Sequence, residues 1–258
     1  MQKRFGNYLE VFCILHSYIA DDKVKKTYKI LALVLITGWA VVHFGKDIIR
    51  QFESDEVSVS RGTTAGGSLE NGKRLPTSGS NFTTYSRLGA LLGRTAVHEK
   101  VRNCILEAYA ALDSGHPELE FIIGETGWVS GGPFPPHKTH QNGLSVDFMT
   151  PILSKEGEVE RLPTSVFNKF GYNIEFDEKG AWRDAKIDYE AIALHLKLLS
   201  EAARNHGIEI ERVIFDPVLQ PYLFGTETGK EIKRRLRFST KRSWVRHDEH
   251  YHVDFRLR

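Results

Sequence analysis

Between residues 95 and 115, Val97, Val101, Ile105, Ala108 and Leu112 recur at helical spacing, and Gly115 ends the pattern. The spacing predicts a helix there. A second helix is predicted over 188–207, with Asp188 as its N-cap and Gly207 just past its end. A short third helix is expected over 228–236. Apolar runs at 118–125, 144–149 and 208–217 read as strands, and 127–136 as a Gly/Pro-rich loop. The stretch 250–258 alternates, with Val253, Phe255 and Leu257 on one face and His250 and His252 on the other. This order predicts an α+β fold in which helices pack on one central, mainly antiparallel sheet, with the folded part running over 82–258.

The N-terminal third reads differently. The apolar run 30–44 would span about 22 Å as a helix at 1.5 Å per residue, against a hydrocarbon core of about 30 Å. That is short for a membrane span and suits a signal segment. Lys23, Lys25, Lys26 and Lys29 precede it, and no A-x-A cleavage site follows. We therefore read residues 1–29 as an extension and 30–49 as a signal or an uncleaved anchor, with a buried soluble helix as the alternative. The positive-inside rule places the rest of the chain outside the cytoplasm. Residues 50–81, rich in Gly, Ser and Thr, read as a flexible linker.

Composition adds limits. With 41% hydrophobic and 26% charged residues the chain can bury a core, and its net charge of +2 is small. The basic cluster at 229–247 reads as a solvated helix face, so charge gives no reason to expect nucleic acid. The two cysteines, Cys13 and Cys104, flank the apolar run, and a span there would keep them apart. There is no CxxC, so any metal must use His and carboxylate ligands.

Such ligands occur in two blocks, "HKTHQNGLSVD" (137–147) and "HDEHYHVDFRLR" (247–258). Seven residues separate His140 from Asp147, about 10.5 Å along a helix or about 23 Å along a strand. Neither lets both reach one ion, so the chain must double back, and Asn142-Gly143 supplies a turn. Asp147 lies between Val146 and Phe148, where a buried carboxylate needs a partner, and a cation is a natural one. Of His250 and His252, one can bind the metal and the other can face a bound water or an oxyanion. The residues alone thus give a His₂Asp metal hydrolase with no defined substrate. His98, His116, His195 and His206 are expected at the surface, and Trp182 and Trp244 in packing.

With these blocks, and with "FIIGETGWVSGG" and "RVIFDP", the sequence resembles the penicillin-insensitive murein endopeptidases over residues 80–258. These belong to a group of zinc peptidases that includes the D-alanyl-D-alanine carboxypeptidases. The resemblance implies Zn²⁺ held by His140, Asp147 and His252 in a cleft on the sheet. It implies a catalytic His250, a supporting His247, and His137 shaping the cleft. The implied substrate is the D-alanyl–meso-diaminopimelyl cross-link between stem peptides of peptidoglycan, and the implied location is the periplasm, with 30–44 as a membrane tether. Glu249 departs from the endopeptidase pattern. In the carboxypeptidase branch an acid three residues before the last His is the general base. An extended strand would turn Glu249 away, so it serves only if the chain bends between 247 and 250, and it ranks below His250. Trp128, Phe134 and Arg246 are further candidates for substrate contact, with loop anchoring as the alternative for the two aromatics.

Three rival readings stay open. One is a D,D-carboxypeptidase or dipeptidase of the same zinc group. Another is an inactive peptidoglycan-binding homologue, against which the complete ligand set counts. The third is a non-haem iron oxygenase, whose usual His-x-Asp spacing is not the spacing here.

Overall fold

A computed structural model describes residues 22–243 and 245–258; residues 1–21, Cys13 among them, and Trp244 lie outside the described set. The chain divides into two units, Met1–Gly45 and Lys46–Arg258. The N-terminal helix α1 (Asp22–Arg50) outruns the apolar stretch at both ends. Over Lys25–Arg50 it has 26 residues and is long and apolar enough to cross a membrane. Ile30, Leu33, Leu35 and Trp39 on it are more than half exposed.

In the second unit the stretch expected as a flexible linker is ordered. Strands β1 (Val59–Thr63) and β2 (Gly66–Glu70) form an antiparallel hairpin. Lys73–Arg74 pairs with Ala96–Val97, and Leu69 and Leu75 are buried. The glycines here serve close approach rather than freedom. A Cβ on Gly72 would lie 2.3 Å from the Val129 carbonyl oxygen, and one on Gly67 would lie 2.8 Å from Asn142 Cβ.

Beside a small four-stranded sheet of short strands between residues 152 and 187, the elements that position the site build a five-stranded sheet and its helical cover. They are β3 (Phe82–Thr84), α2 (Glu99–Gly115), β4 (Phe121–Ile123), β5 (Ser145–Met149), α3 (Tyr189–Asn205), β6 (Ile208–Ile214), α4 (Glu227–Arg235) and β7 (His250–Leu257). The sheet order is β6-β7-β5-β4-β3. Every pair is antiparallel except β3–β4. The expected α+β class with a mainly antiparallel sheet is therefore what the chain forms. Helix α2 starts later than its periodicity suggested: His98 caps it by accepting from Lys100 N (3.1 Å), and Val97 belongs to the short strand before it. Asp188 caps α3 by accepting from Ala191 N (3.0 Å).

Pleat alternation divides the labour of β5 and β7. Val146 and Phe148, with Tyr251, Val253 and Phe255, join α2 and α3 in one core. Asp147, His250, His252 and Asp254 take the other face, as strand periodicity requires.

Two histidines expected at the surface are buried. His98 is the N-cap just described, and His195 is fully buried on α3. His195 sits three residues after Ile192 and four before Leu199, which is core spacing, and its Nδ1 lies 2.6 Å from Tyr251 Oη. Burial pushes its pKa down to about 3. In the unfolded chain the same imidazole takes up its proton near pH 6.5. Stability from this site is therefore complete above about pH 6.5 and declines as pH falls toward 3, because only the unfolded state binds the proton there. Between pH 7 and 4 the loss is about 3 kcal/mol. Urea unfolding across that range should show a slope flatter by about one proton in His195→Gln than in the parent.

Candidate active site

Strands β5 and β7 pair so that His252 lies directly opposite Asp147. The expected turn completes the cluster from the other side. His140 itself adopts φ 68°, and Gly143 follows at φ 76°. A Cβ on Gly143 would lie 2.8 Å from the His98 backbone nitrogen, so this position requires glycine on both counts.

His140 is fully buried, and neither of its ring nitrogens has a hydrogen-bond partner. Its Nε2 is 3.3 Å from Asp147 Oδ1, without hydrogen-bond alignment. His137 places Nε2 2.6 Å from Glu125 Oε2 and Nδ1 3.9 Å from Asp147 Oδ2. The ligand atoms of His137, His140 and Asp147 lie within 4.8 Å of one another, close enough to hold a metal ion. His252 adjoins the same group. Its Nδ1 is 2.8 Å from Asp147 Oδ1, and its ring centroid is 4.8 Å from that of His140. The donor set is nitrogen and oxygen, with no thiolate.

His250 stands beside it, with Nε2 3.7 Å from Asp147 Oδ2 and Nδ1 2.9 Å from Glu249 Oε1. The required bend is present: His247 adopts φ 58°, and Glu249 reaches the cleft by it. His247 holds Nδ1 2.8 Å from the Val245 carbonyl and its ring 4.6 Å from that of His250. These side chains open on a cleft of about 740 Å³, also lined by Tyr85, Arg94, Tyr172 and Arg212.

The charges follow from burial and pairing. Burial alone would raise the Asp147 carboxyl, but His140 and His250 outweigh it and hold it well below the usual range. Burial would lower His250 and His252, yet Glu249 raises the first and Asp254 raises the second, to about 10. His247 is pushed down to about 4 by burial and then by His250, so it is neutral at pH 7.

Three residues at the site carried little or no sequence signal. Glu125, just past β4, is pinned by Tyr85 Oη (2.7 Å), the Arg94 guanidinium and His137, and is held down to about 2 by these bonds against its burial. An acid closing an apolar strand was the one available clue, as at Asp147. Tyr172 donates to Asp147 Oδ2 (3.1 Å) and accepts from the Glu125 backbone N–H (2.8 Å), out of an irregular segment with no periodicity. Asp254 continues the alternation of His250 and His252.

Two expected contacts are placed elsewhere. Trp128 donates Nε1 to the Pro133 carbonyl (3.2 Å) and meets Phe134 edge-on at 5.1 Å, so the pair braces its own loop. Arg246 donates to Asp216 (2.8 Å) and lies 3.4 Å from Asp248. Neither Trp128 nor Arg246 lines the cleft. In the basic stretch, Lys230, Lys233 and Arg234 are exposed on α4.

No match is found among curated proteins. Residues 60–258, which carry the whole sheet and every side chain of the cluster, match the family described as penicillin-insensitive murein endopeptidase. By that match the chain belongs to the penicillin-insensitive murein endopeptidase family.

Proposed function

We propose that this chain is a zinc-dependent murein endopeptidase that hydrolyses D-alanyl–meso-diaminopimelyl cross-links of peptidoglycan. The observation that carries the metal is His140. A buried, unpartnered imidazole nitrogen costs about 1–3 kcal/mol, and an ion removes that cost at the nitrogen that binds it. Nitrogen and carboxylate donors without sulfur suit zinc. His140, Asp147 and His252 are the ligands in this reading.

Zinc held there would lower the pKa of a bound water and polarise the scissile carbonyl. The chain's own residues do the rest. Glu249 accepts from His250 Nδ1, which turns Nε2 toward the cleft. From there His250 donates to the developing oxyanion and hands a proton to the leaving amine. Neutral His247 adds a second imidazole at the rim. Tyr172 ties down Asp147 Oδ2 and leaves Oδ1 facing His140. His137, anchored on Glu125, shapes the far wall.

A membrane-crossing α1, with Lys25, Lys26 and Lys29 on its cytoplasmic side, would set the second unit in the periplasm, where this polymer lies.

Glu249 in the cleft favours a second reading, a D,D-carboxypeptidase or dipeptidase with Glu249 as general base. One digestion decides. Purified chain loaded with zinc is incubated with cross-linked muropeptide dimers and with pentapeptide monomers, and products are weighed by mass spectrometry. Dimers falling to monomers is the expected result. Loss of terminal D-alanine alone selects the second reading. No product from either substrate overturns both and leaves a peptidoglycan-binding protein.

A further inference from the structure

We propose that Asp254 is a positioning residue for the metal site: it fixes the ring of His252 from behind so that Nδ1 is the atom offered to the ion. The inference rests on the reading of His252 as a ligand.

Residues 252 and 254 share a face of β7, and His252 Nε2 is 2.8 Å from Asp254 Oδ1. Asp254 is buried and is gripped from both neighbouring strands. On β5, its register partner Ser145 donates Oγ to the same Oδ1 at 2.7 Å. On β6, its other register partner Arg212 donates Nε to Oδ2 at 3.1 Å and adds a second bond from Nη2. A carboxylate held this way cannot swing aside or give up its charge cheaply, and it accepts but does not donate. The hydrogen between it and His252 therefore sits on Nε2. The Nδ1 hydrogen, which faces Asp147 Oδ1, is then the one the ring would give up to an ion. A carboxylate behind a ligating histidine sets the ring's tautomer and orientation and raises its basicity. The row Ser145–Asp254–Arg212 crosses three strands in register, so the sheet itself aims the ligand.

The half-exposed Arg212 also lines the cleft, so the same row links the cleft wall to the ligand.

The test uses the full chain, with zinc affinity measured by competition with a chromogenic chelator and Co²⁺-loaded protein read by its d–d absorption. Asp254→Asn should bind zinc about 10–100-fold more weakly and shift the Co²⁺ bands. Ser145→Ala, which frees the oxygen facing His252, should move both in the same direction by several-fold. A purely architectural Asp254 would lower the melting temperature yet leave the Co²⁺ bands in place, and that result overturns the proposal, as does zinc affinity equal to the parent. Should Asp254→Asn not fold, Ser145→Ala decides alone, and unchanged affinity there is fatal. His252→Ala separates the two levels. If it binds zinc normally, the ligand reading has failed. If it loses zinc while Asp254→Asn binds like the parent, only the role of Asp254 has failed.

Discussion

His140→Ala and His252→Ala should each lose zinc and peptidase activity together, whereas His137→Ala should keep a stoichiometric ion. This is the largest effect the site predicts. His137 and His140 are both near enough to Asp147 to share an ion, so distance alone leaves the third ligand open between His137 and His252. Position around Asp147 separates them, because His252 meets the oxygen that faces His140 and His137 meets the other. His137 has its Nε2 committed to Glu125 at 2.6 Å, and its free nitrogen is 3.9 Å from Asp147. His252 has Nδ1 at 2.8 Å from the Asp147 oxygen that faces His140. Metal analysis after dialysis reads the result directly. Stability gives a second readout. An ion present at about 1,000 times its Kd stabilises the folded state by about 4 kcal/mol. A chelator should therefore lower the melting temperature of the parent and of His137→Ala, and leave the two ligand variants unmoved. If His137→Ala loses the ion and His252→Ala keeps it, the ligand set is His137, His140 and Asp147.

The second large effect is catalytic. His250→Ala should keep zinc and lower kcat by about 10²–10⁴-fold, the usual contribution of a positioned acid–base group. Glu249→Gln tells which residue acts and which assists. If Glu249 works through His250, the double variant loses no more than His250→Ala alone, because the two form one unit. If Glu249 is itself the base, the losses compound. The pH profile adds a sign. Glu249 and Asp147 raise His250 against its burial. A protonated His250 that serves as acid is lost as pH rises through that value. Removing the Glu249 charge lowers the value, so the alkaline limb of the Glu249→Gln profile should move to lower pH.

What the sequence made legible was local. The helical stripes of α2 and α3, the alternation of β7 and the turn between His140 and Asp147 all depend on residues within one or two turns of each other. What it hid was carried by distant partners. The glycines of 66–72 looked like slack chain because the groups they press against, Asn142 and Val129, are far along the sequence. His195 looked polar because its partner Tyr251 is 56 residues away. Glu125 and Tyr172 meet Asp147 only after β4, β5 and an irregular segment have converged. The bend that brings Glu249 to the cleft comes from a left-handed His247, which no residue type announced.

Strand β7 follows β3 to β6 in sequence, yet it lies between β5 and β6. A nascent chain halted before residue 250 has two unpaired sheet edges, which invite mispairing. It also has no His252 within reach of Asp147, its contact 105 residues earlier. Closure of the sheet and assembly of the site are therefore the same event, and pairing of β7 is the arming step. Long-range pairing of this kind is slow to form. Under the proposed activity, a chain in which β7 has not yet paired with β5 carries no competent peptidase.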